Sequence, residues 1–559
     1  MAHEADVVDP GIVERASPHL LAGPGARSRA RERWVDRVHP LLGATLVFVV
    51  ALLAFVPGIG RRDIWTRDEA RTALVVQEML ATGDWSIARM PGGVHGKKPP
   101  LYHWLTALTS REGVDETTLR LPAAVAGSGT VVVVYLLGAE LAAPAVGLIA
   151  AAVLIASPGF FEWARVGRME TLLVFCLSLS LWGLSRWLRR GGYRSGLVFG
   201  IGLGLAILTK GPAGFLALVI AALVVLTCRS RAGHLRELVP GLALAATLPV
   251  AWLGLAALTA TDFGAYAGGM GATIAGELTR RSSQSSSGIT ALTIGFLPWT
   301  LLIPGAMFLA ARRRPPALLV LMCLWWLTIV LGVFLFLVSP RAAYFEPAFP
   351  PLALVAAWSL WVAHGRARRA LLVPLGLGVI AVAATGVVMA AWPVTFELHH
   401  VRVALPLWTT VMTSALLVVV VLVGAALERR GASMAAILTV AVGVIAGLVV
   451  FELGVRVPFD NRLYSVRAAA GRLQSHVPPG ATVGYLDAHR VTAIAVYLRR
   501  PLKQLPTLRP GDTTVPATPD YLLLPLGLFE DLAARWSLER VDDVMVHQTG
   551  YVLARRTRG

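Results

Sequence analysis

Apolar runs of about 20 residues recur along this 559-residue chain, each long enough to cross a hydrocarbon core of ~30 Å as an α-helix. Short polar breaks separate them near 41–59, 121–141, 144–161, 169–188, 195–210, 213–228, 238–258, 291–311, 317–338, 343–363, 370–391, 405–427 and 433–454. The pattern predicts a polytopic α-helical membrane protein with about thirteen transmembrane helices. Two stretches depart from it. Residues 60–120 form a long polar first loop. Beyond about 455 the sequence reads as a small α/β domain, with ATVGYLD, YLLLP and YVLARR as strands and HRVTAIAVYLRRP and LFEDLAARWSLERV as helices. The expected division is a basic tail over 1–40, a transmembrane unit over 41–454 and a C-terminal domain over 455–559.

Charge gives the orientation. Arg27, Arg29, Arg31, Arg33 and Arg37 precede the first span, and further arginines cluster at 189–194, 229–236, 312–314, 366–369 and 429–430. Alternating sides from a cytoplasmic tail puts every cluster on the cytoplasmic face, as the positive-inside bias requires. The net charge of +18 is thereby accounted for without nucleic acid as a partner, and a lipid bilayer is the surrounding expected. No small-residue cleavage pattern follows the tail, so the first span is expected to remain as an anchor. Cys176, Cys228 and Cys323 fall inside apolar runs and read as packing residues. Left on the outer side are the 60–120 loop, the turn 162–168, the TKGP turn, the loop 259–290, the SPRAAY turn and the C-terminal domain, so chemistry is expected to face outward.

The first outer loop opens TRDEARTALVVQEMLATGDW, with Thr66 as an N-cap, Asp68 and Glu69 in the first turn, and Ala73, Val76 and Leu80 at helical spacing. That spacing predicts a helix lying on the membrane surface. In HGKKPPLYHWL, Lys98 precedes a proline pair that suits the entrance of a second helix, where free N–H groups favour an anion. The chain has only four lysines, Lys97, Lys98, Lys210 and Lys503, and two of them stand here. They read either as phosphate ligands or as anchors to lipid headgroups.

Taken in order, RDEARTALVVQEMLATGDWSIARMPGGVHGKKPPLYHWLTAL, GLAILTKGP, PWTLLIPGA and YFEPAFPPLAL resemble the GT-C glycosyltransferases of the aminoarabinose transferase and protein mannosyltransferase type. The resemblance implies the GT-C fold, with outer juxtamembrane helices and a small extracytoplasmic C-terminal α/β domain. It implies transfer of a sugar from a polyprenyl-phosphate donor to a hydroxyl of an envelope glycolipid, glycan or protein, at the outer face of a bacterial inner membrane. Such transfer requires a base beside the acceptor and cations around the phosphate. Asp68 is the candidate base, with Glu69 as the alternative, and Arg71 one turn on could orient the carboxylate or touch phosphate. Lys98 matches the lysine of the family's EKPP element and Lys210 that of TKGP, both for donor phosphate. Glu170 stands where the family has an aspartate and would assist acceptor binding or complement a helix dipole. Arg341 and Tyr344 occupy a turn where the family has a lysine and a tyrosine near the donor, so that arginine stands for lysine there, or they form an interfacial anchor pair.

Metal is a point of departure. The aminoarabinose transferases carry a glutamate before the motif lysine and a histidine in the later outer loop, a pair suited to zinc. Lys97 and Glu277 stand in their places, and an ion pair between them would join the two loops with no metal. His95, His103, His399 and His400 share no ligand spacing, so neither a metal nor another cofactor is expected. The GSG at 127–129 lies within a span and lacks the context of a nucleotide fingerprint. The competing reading is a transporter or flippase of a lipid-linked sugar, which would call for internal repeats or acids at the bilayer midplane. Neither is evident in the pattern.

Overall fold

The structure, a computed structural model, describes residues 39–90, 93–96, 98–228, 232–279, 285–312, 317–337, 341–391, 396–398, 401–403, 406–486, 491–498, 502–505, 519–546 and 549–557. Among these, ten helical segments are long and apolar enough to cross a membrane, and a pair bent by 92°, Gly288–Gly295 with Trp299–Ala311, makes an eleventh. Three of the expected spans, 195–210, 213–228 and 144–161, depart from separate straight crossings. Tyr193–Cys228 is one apolar stretch of 36 residues, about 54 Å if straight and too long for the bilayer core. It doubles back after Lys210, where Gly211 has φ 54° and Gly214 sits against the backbone of Ala206 and Ile207, before the helix Leu216–Cys228. The 144–161 run becomes a helix of only 12 residues, Pro144–Ile155, followed by the separate turn Pro158–Trp163.

At one end of the bundle the arginine clusters meet acids from other loops. Arg190 makes two hydrogen bonds to the Glu140 carboxylate, at 3.0 and 2.9 Å. Arg368 meets Glu428 at 2.6 Å, and Glu237 accepts from the Gly192 N–H at 2.7 Å. Between the ends, small residues let backbones approach closely. A Cβ on Gly200 would lie 1.9 Å from the Gly241 carbonyl oxygen, and one on Gly183 2.3 Å from the Phe199 nitrogen.

The C-terminal domain sits at the other end. Its five-stranded sheet runs in the order Leu502–Leu505, Val483–Leu486, Tyr521–Pro525, Thr549–Arg556, Leu538–Val546, with the first three parallel and the rest antiparallel. Only the opening LFEDL of LFEDLAARWSLERV is helical, within Leu526–Leu532. Ser537 turns at φ 50° and LERV begins an edge strand, because Trp536 is drawn into the domain core and the chain pairs with Thr549–Arg556. No loop separates this domain from the last span: Ser433–Phe451 runs through the wide turn Glu452–Arg456 into Val457–Tyr464.

The helix Arg67–Thr82 starts as expected, with Thr66 accepting from the Glu69 N–H at 3.3 Å. The helix is covered on its apolar face, with Ala70, Ala73, Leu74, Val75 and Val76 all fully buried and Val491–Leu498 of the C-terminal domain packed against it. Asp63, just upstream, accepts from Ser465 at 2.5 Å and from Arg467 at 3.0 Å, and Trp65 stacks on Tyr464 at 4.4 Å.

The first outer loop is tied to the bundle by Glu69. Its carboxylate is wholly buried against Arg120, Oε1 to Nε 2.7 Å, and also accepts from the Gly167 N–H at 2.9 Å and Thr66 Oγ1 at 3.2 Å. Arg120 in turn donates to the carbonyls of Ile59 at 2.6 Å and Arg62 at 2.5 Å. Breaking a buried pair by removing one partner costs about 3–5 kcal/mol. Burial pushes the Glu69 carboxyl up, but Arg120 and Arg62 outweigh it and hold it at about 2, below its ordinary 4.5. A depressed value means that this stabilisation is complete above pH 4.5 and fades as pH falls towards 2. Glu69→Ala is therefore expected to lower the unfolding temperature measured in detergent at pH 7, with the difference from wild type shrinking as the pH is taken below 4.5.

Candidate functional site

With Glu69 turned inward, Asp68 points the other way, and its side chain is 42% exposed at the rim of the bundle. There it meets Arg168, Nη2 to Oδ2 2.9 Å. Arg168 ends the turn after Pro158–Trp163, stacks over the Trp163 ring at 5.2 Å, and reaches Glu170 at 3.4 Å with Nε. Burial works against the Arg168 charge, but Glu170 and Asp68 raise its pKa above the ordinary arginine value. Glu170, in the first turn of Met169–Arg190, bridges onward to Lys210, Oε1 to Nζ 2.9 Å. Lys210 is the last residue of its helix, nearly buried, with Nζ 4.0 Å from the centre of the Tyr344 ring. The exposed Arg341 reaches the same ring at 5.8 Å. Asp68, Arg168, Glu170, Lys210 and Tyr344 thus form a row of alternating charge ending on an aromatic face.

Lys98 is half-buried beside this row, close enough for its charge to act on Glu170. Its carbonyl accepts from Tyr266, and Gly96 beside it admits the backbone of Phe263–Thr279, since a Cβ there would lie 2.5 Å from the Tyr266 oxygen. The lysine loop is therefore braced by the second outer loop. Arg71 stands one turn beyond Asp68, with Nε buried; the guanidinium shown against Asp68 is that of Arg168.

These placements revise several expectations. Glu69, the alternative base, has both oxygens engaged by the clamp and serves the fold. Glu170 does more than face a helix dipole, because it joins two cations. Arg168, Arg120 and Glu346 went unassigned in the sequence reading, although Arg120, Arg165 and Arg168 carried a signal as arginines on the side that the positive-inside bias leaves poor in them. Lys97, His399 and His400 lie outside the described residues, as does the side chain of Glu277, so the loop pairing falls there too. His103 is buried, and burial lowers its imidazole to about 4, which makes it a neutral core group. Among the described residues no three His, Cys, Asp or Glu side chains are grouped to hold a metal ion.

Residues 97–254 match the family described as dolichyl-phosphate-mannose-protein mannosyltransferase. The chain is 29% identical over 385 residues to the undecaprenyl phosphate-alpha-4-amino-4-deoxy-L-arabinose arabinosyl transferase of Pseudomonas aeruginosa, covering 65% of this chain and 69% of the relative. Transferase 2 of the same description from Sodalis glossinidius is 29% identical over 373 residues, covering 63% and 65%. The crystal structure of ArnT from Cupriavidus metallidurans bound to undecaprenyl phosphate superposes with a TM-score of 0.76 at 21% identity, over 91% of this chain and 97% of the other. The chain has the GT-C fold.

In this GT-C protein the row of charges is closed by the TKGP turn and the segment Arg341–Tyr344, both from the quoted motifs, and opened by Asp68 from the first outer loop. A buried, hydrogen-bonded charge pair within it should be strongly coupled. Glu170→Gln and Lys210→Met are each expected to lower thermal stability in detergent, while the double variant loses less than the sum of the two by about 1–3 kcal/mol. Strict additivity would show that the two groups are independent and the row is not one network.

Proposed function

We propose that this GT-C glycosyltransferase moves a sugar from a polyprenyl-phosphate donor to a hydroxyl of an envelope glycolipid, glycan or protein, at the extracytoplasmic face of the bacterial inner membrane. The observation that carries the reading is the exposed Asp68 carboxylate fixed 2.9 Å from Arg168, at one end of a row whose other end gathers Lys210, Tyr344 and Arg341. The orientation rests on the arginine clusters gathered at the opposite end of the bundle, the end expected in the cytoplasm.

The acceptor oxygen attacks the anomeric carbon, the bond from that carbon to the phosphate oxygen breaks, and polyprenyl phosphate leaves. Asp68 takes the acceptor proton, which requires it ionised and within hydrogen-bond reach of the hydroxyl. Arg168 holds it aimed. Lys210, Lys98 and Arg341 supply positive charge for the phosphate, whose charge grows as the bond breaks. Glu170 holds Lys210 and Arg168 at fixed positions, so little reorganisation is needed during the step. Because these cations can balance the phosphate charge, we assign no divalent metal to the step.

Mass spectrometry of envelope glycolipids and glycoproteins tests the proposal. A pentose or hexose increment present with the wild-type chain should disappear without it and with Asp68→Asn, which keeps the shape but loses proton acceptance, a rate loss of about 10²–10⁴. Growth or assay with a chelator should leave the increment in place. An unchanged profile without the chain would refute the function, a wild-type profile with Asp68→Asn would refute the base, and chelator inhibition reversed by zinc would refute the metal-free step.

A further inference from the structure

The segment Ala342–Ala348 that brings Tyr344 to Lys210 also carries Glu346, and nothing in the reaction above uses it. Glu346 is wholly buried, and both carboxylate oxygens lack a hydrogen-bond partner. It lies beside Thr171, Glu170, Arg168 and Lys210. The cations there are already engaged: Arg168 with Asp68 and Glu170, Lys210 with Glu170 and the Tyr344 face. Thr171 stands near enough to act on the carboxyl, but its hydroxyl proton goes to the Trp163 carbonyl at 3.1 Å. The next residue is Pro347, which has no N–H to offer. Nor can the segment easily turn the carboxyl away, because Phe345 is held against Gly288, where a Cβ would lie 2.1 Å from the ring.

A buried carboxyl without a donor is costly and is retained where something outside the protein completes it. We propose that Glu346 is a sugar-recognition residue: its carboxyl accepts a hydrogen bond from a ring hydroxyl or amino substituent of the sugar, bound between the phosphate cations and Asp68. The assignment rests on the glycosyltransferase reading above and deepens it. It gives the site a specificity element set apart from the phosphate ligands, since a group left unpaired by the wrong sugar discriminates more sharply than an apolar contact.

The test is binding to the purified protein in detergent. The ligands are undecaprenyl phosphate alone and undecaprenyl phosphate linked to L-arabinose, 4-amino-4-deoxy-L-arabinose or D-mannose. Wild type should bind at least one sugar-bearing lipid more tightly than the bare phosphate. Glu346→Leu should weaken that lipid by about 10- to 100-fold, leave the affinity for bare undecaprenyl phosphate unchanged, and not lower the unfolding temperature of the free protein, because an unsatisfied buried group has been removed. Glu346→Met carries the same test if the leucine variant does not fold. A variant that keeps the sugar preference, or that loses bare and sugar-bearing lipids equally, overturns the assignment of Glu346 alone. A wild type that binds no sugar-bearing lipid better than the bare phosphate overturns the donor reading, and Glu346 with it.

Discussion

The ion pair of Glu69 with Arg120 decides how everything at the outer end of the bundle is placed. Two fully buried charges in contact are tolerated only when their remaining hydrogen-bonding capacity is met. Here Gly167 and Thr66 complete the carboxylate, while the carbonyls of Ile59 and Arg62 complete the guanidinium. Those partners come from the first outer loop, the start of the span Glu116–Leu141 and the turn before Met169–Arg190, so one interaction joins three pieces of chain. It also sets the rotation of Arg67–Thr82 about its axis. With position 69 turned inward, position 68 lies about 100° away around the helix and faces the rim, where Arg168 receives it.

The row beyond Asp68 follows from a second constraint, the cost of keeping several charges near apolar surroundings. Alternating signs at separations of 2.9–3.4 Å let each group offset the desolvation of the next. A phosphate arriving at Lys210 and Arg341 would add an anion beside the Tyr344 ring, where Glu170 already holds Lys210 at 2.9 Å. Glu346 is the exception to the balance, a wholly buried acid whose two oxygens make no hydrogen bond.

Local features of the chain were readable in advance. Thr66, Asp68 and Glu69 announced a helix start because capping is decided within four residues, and Lys98 and Lys210 stood out because lysine is rare here. Fold class and the family resemblance followed from the apolar runs and from motifs in a fixed order. Partner identity was not readable. Asp68 and Glu69 are adjacent and chemically similar, and only tertiary packing makes one a structural clamp and leaves the other exposed. Arg168 meets Asp68 across 100 positions of sequence, and no spacing rule links them. SLERV was read as helix because its residues tolerate helix well, whereas the burial of Trp536 and pairing with the last strand made LERV the start of an edge strand.

In the proposed reaction the phosphate of the lipid donor docks at the Lys210 and Tyr344 end of the row, leaving Asp68 at the other end for the acceptor. A cryo-EM structure of the wild-type protein with undecaprenyl phosphate tests it most directly. The account predicts phosphate density within hydrogen-bond distance of Lys210 and at least one of Lys98 and Arg341, with Asp68 still against Arg168. Phosphate bound among the arginines at the opposite end of the bundle, or direct coordination of the phosphate by Arg168 with Asp68 displaced, would contradict it.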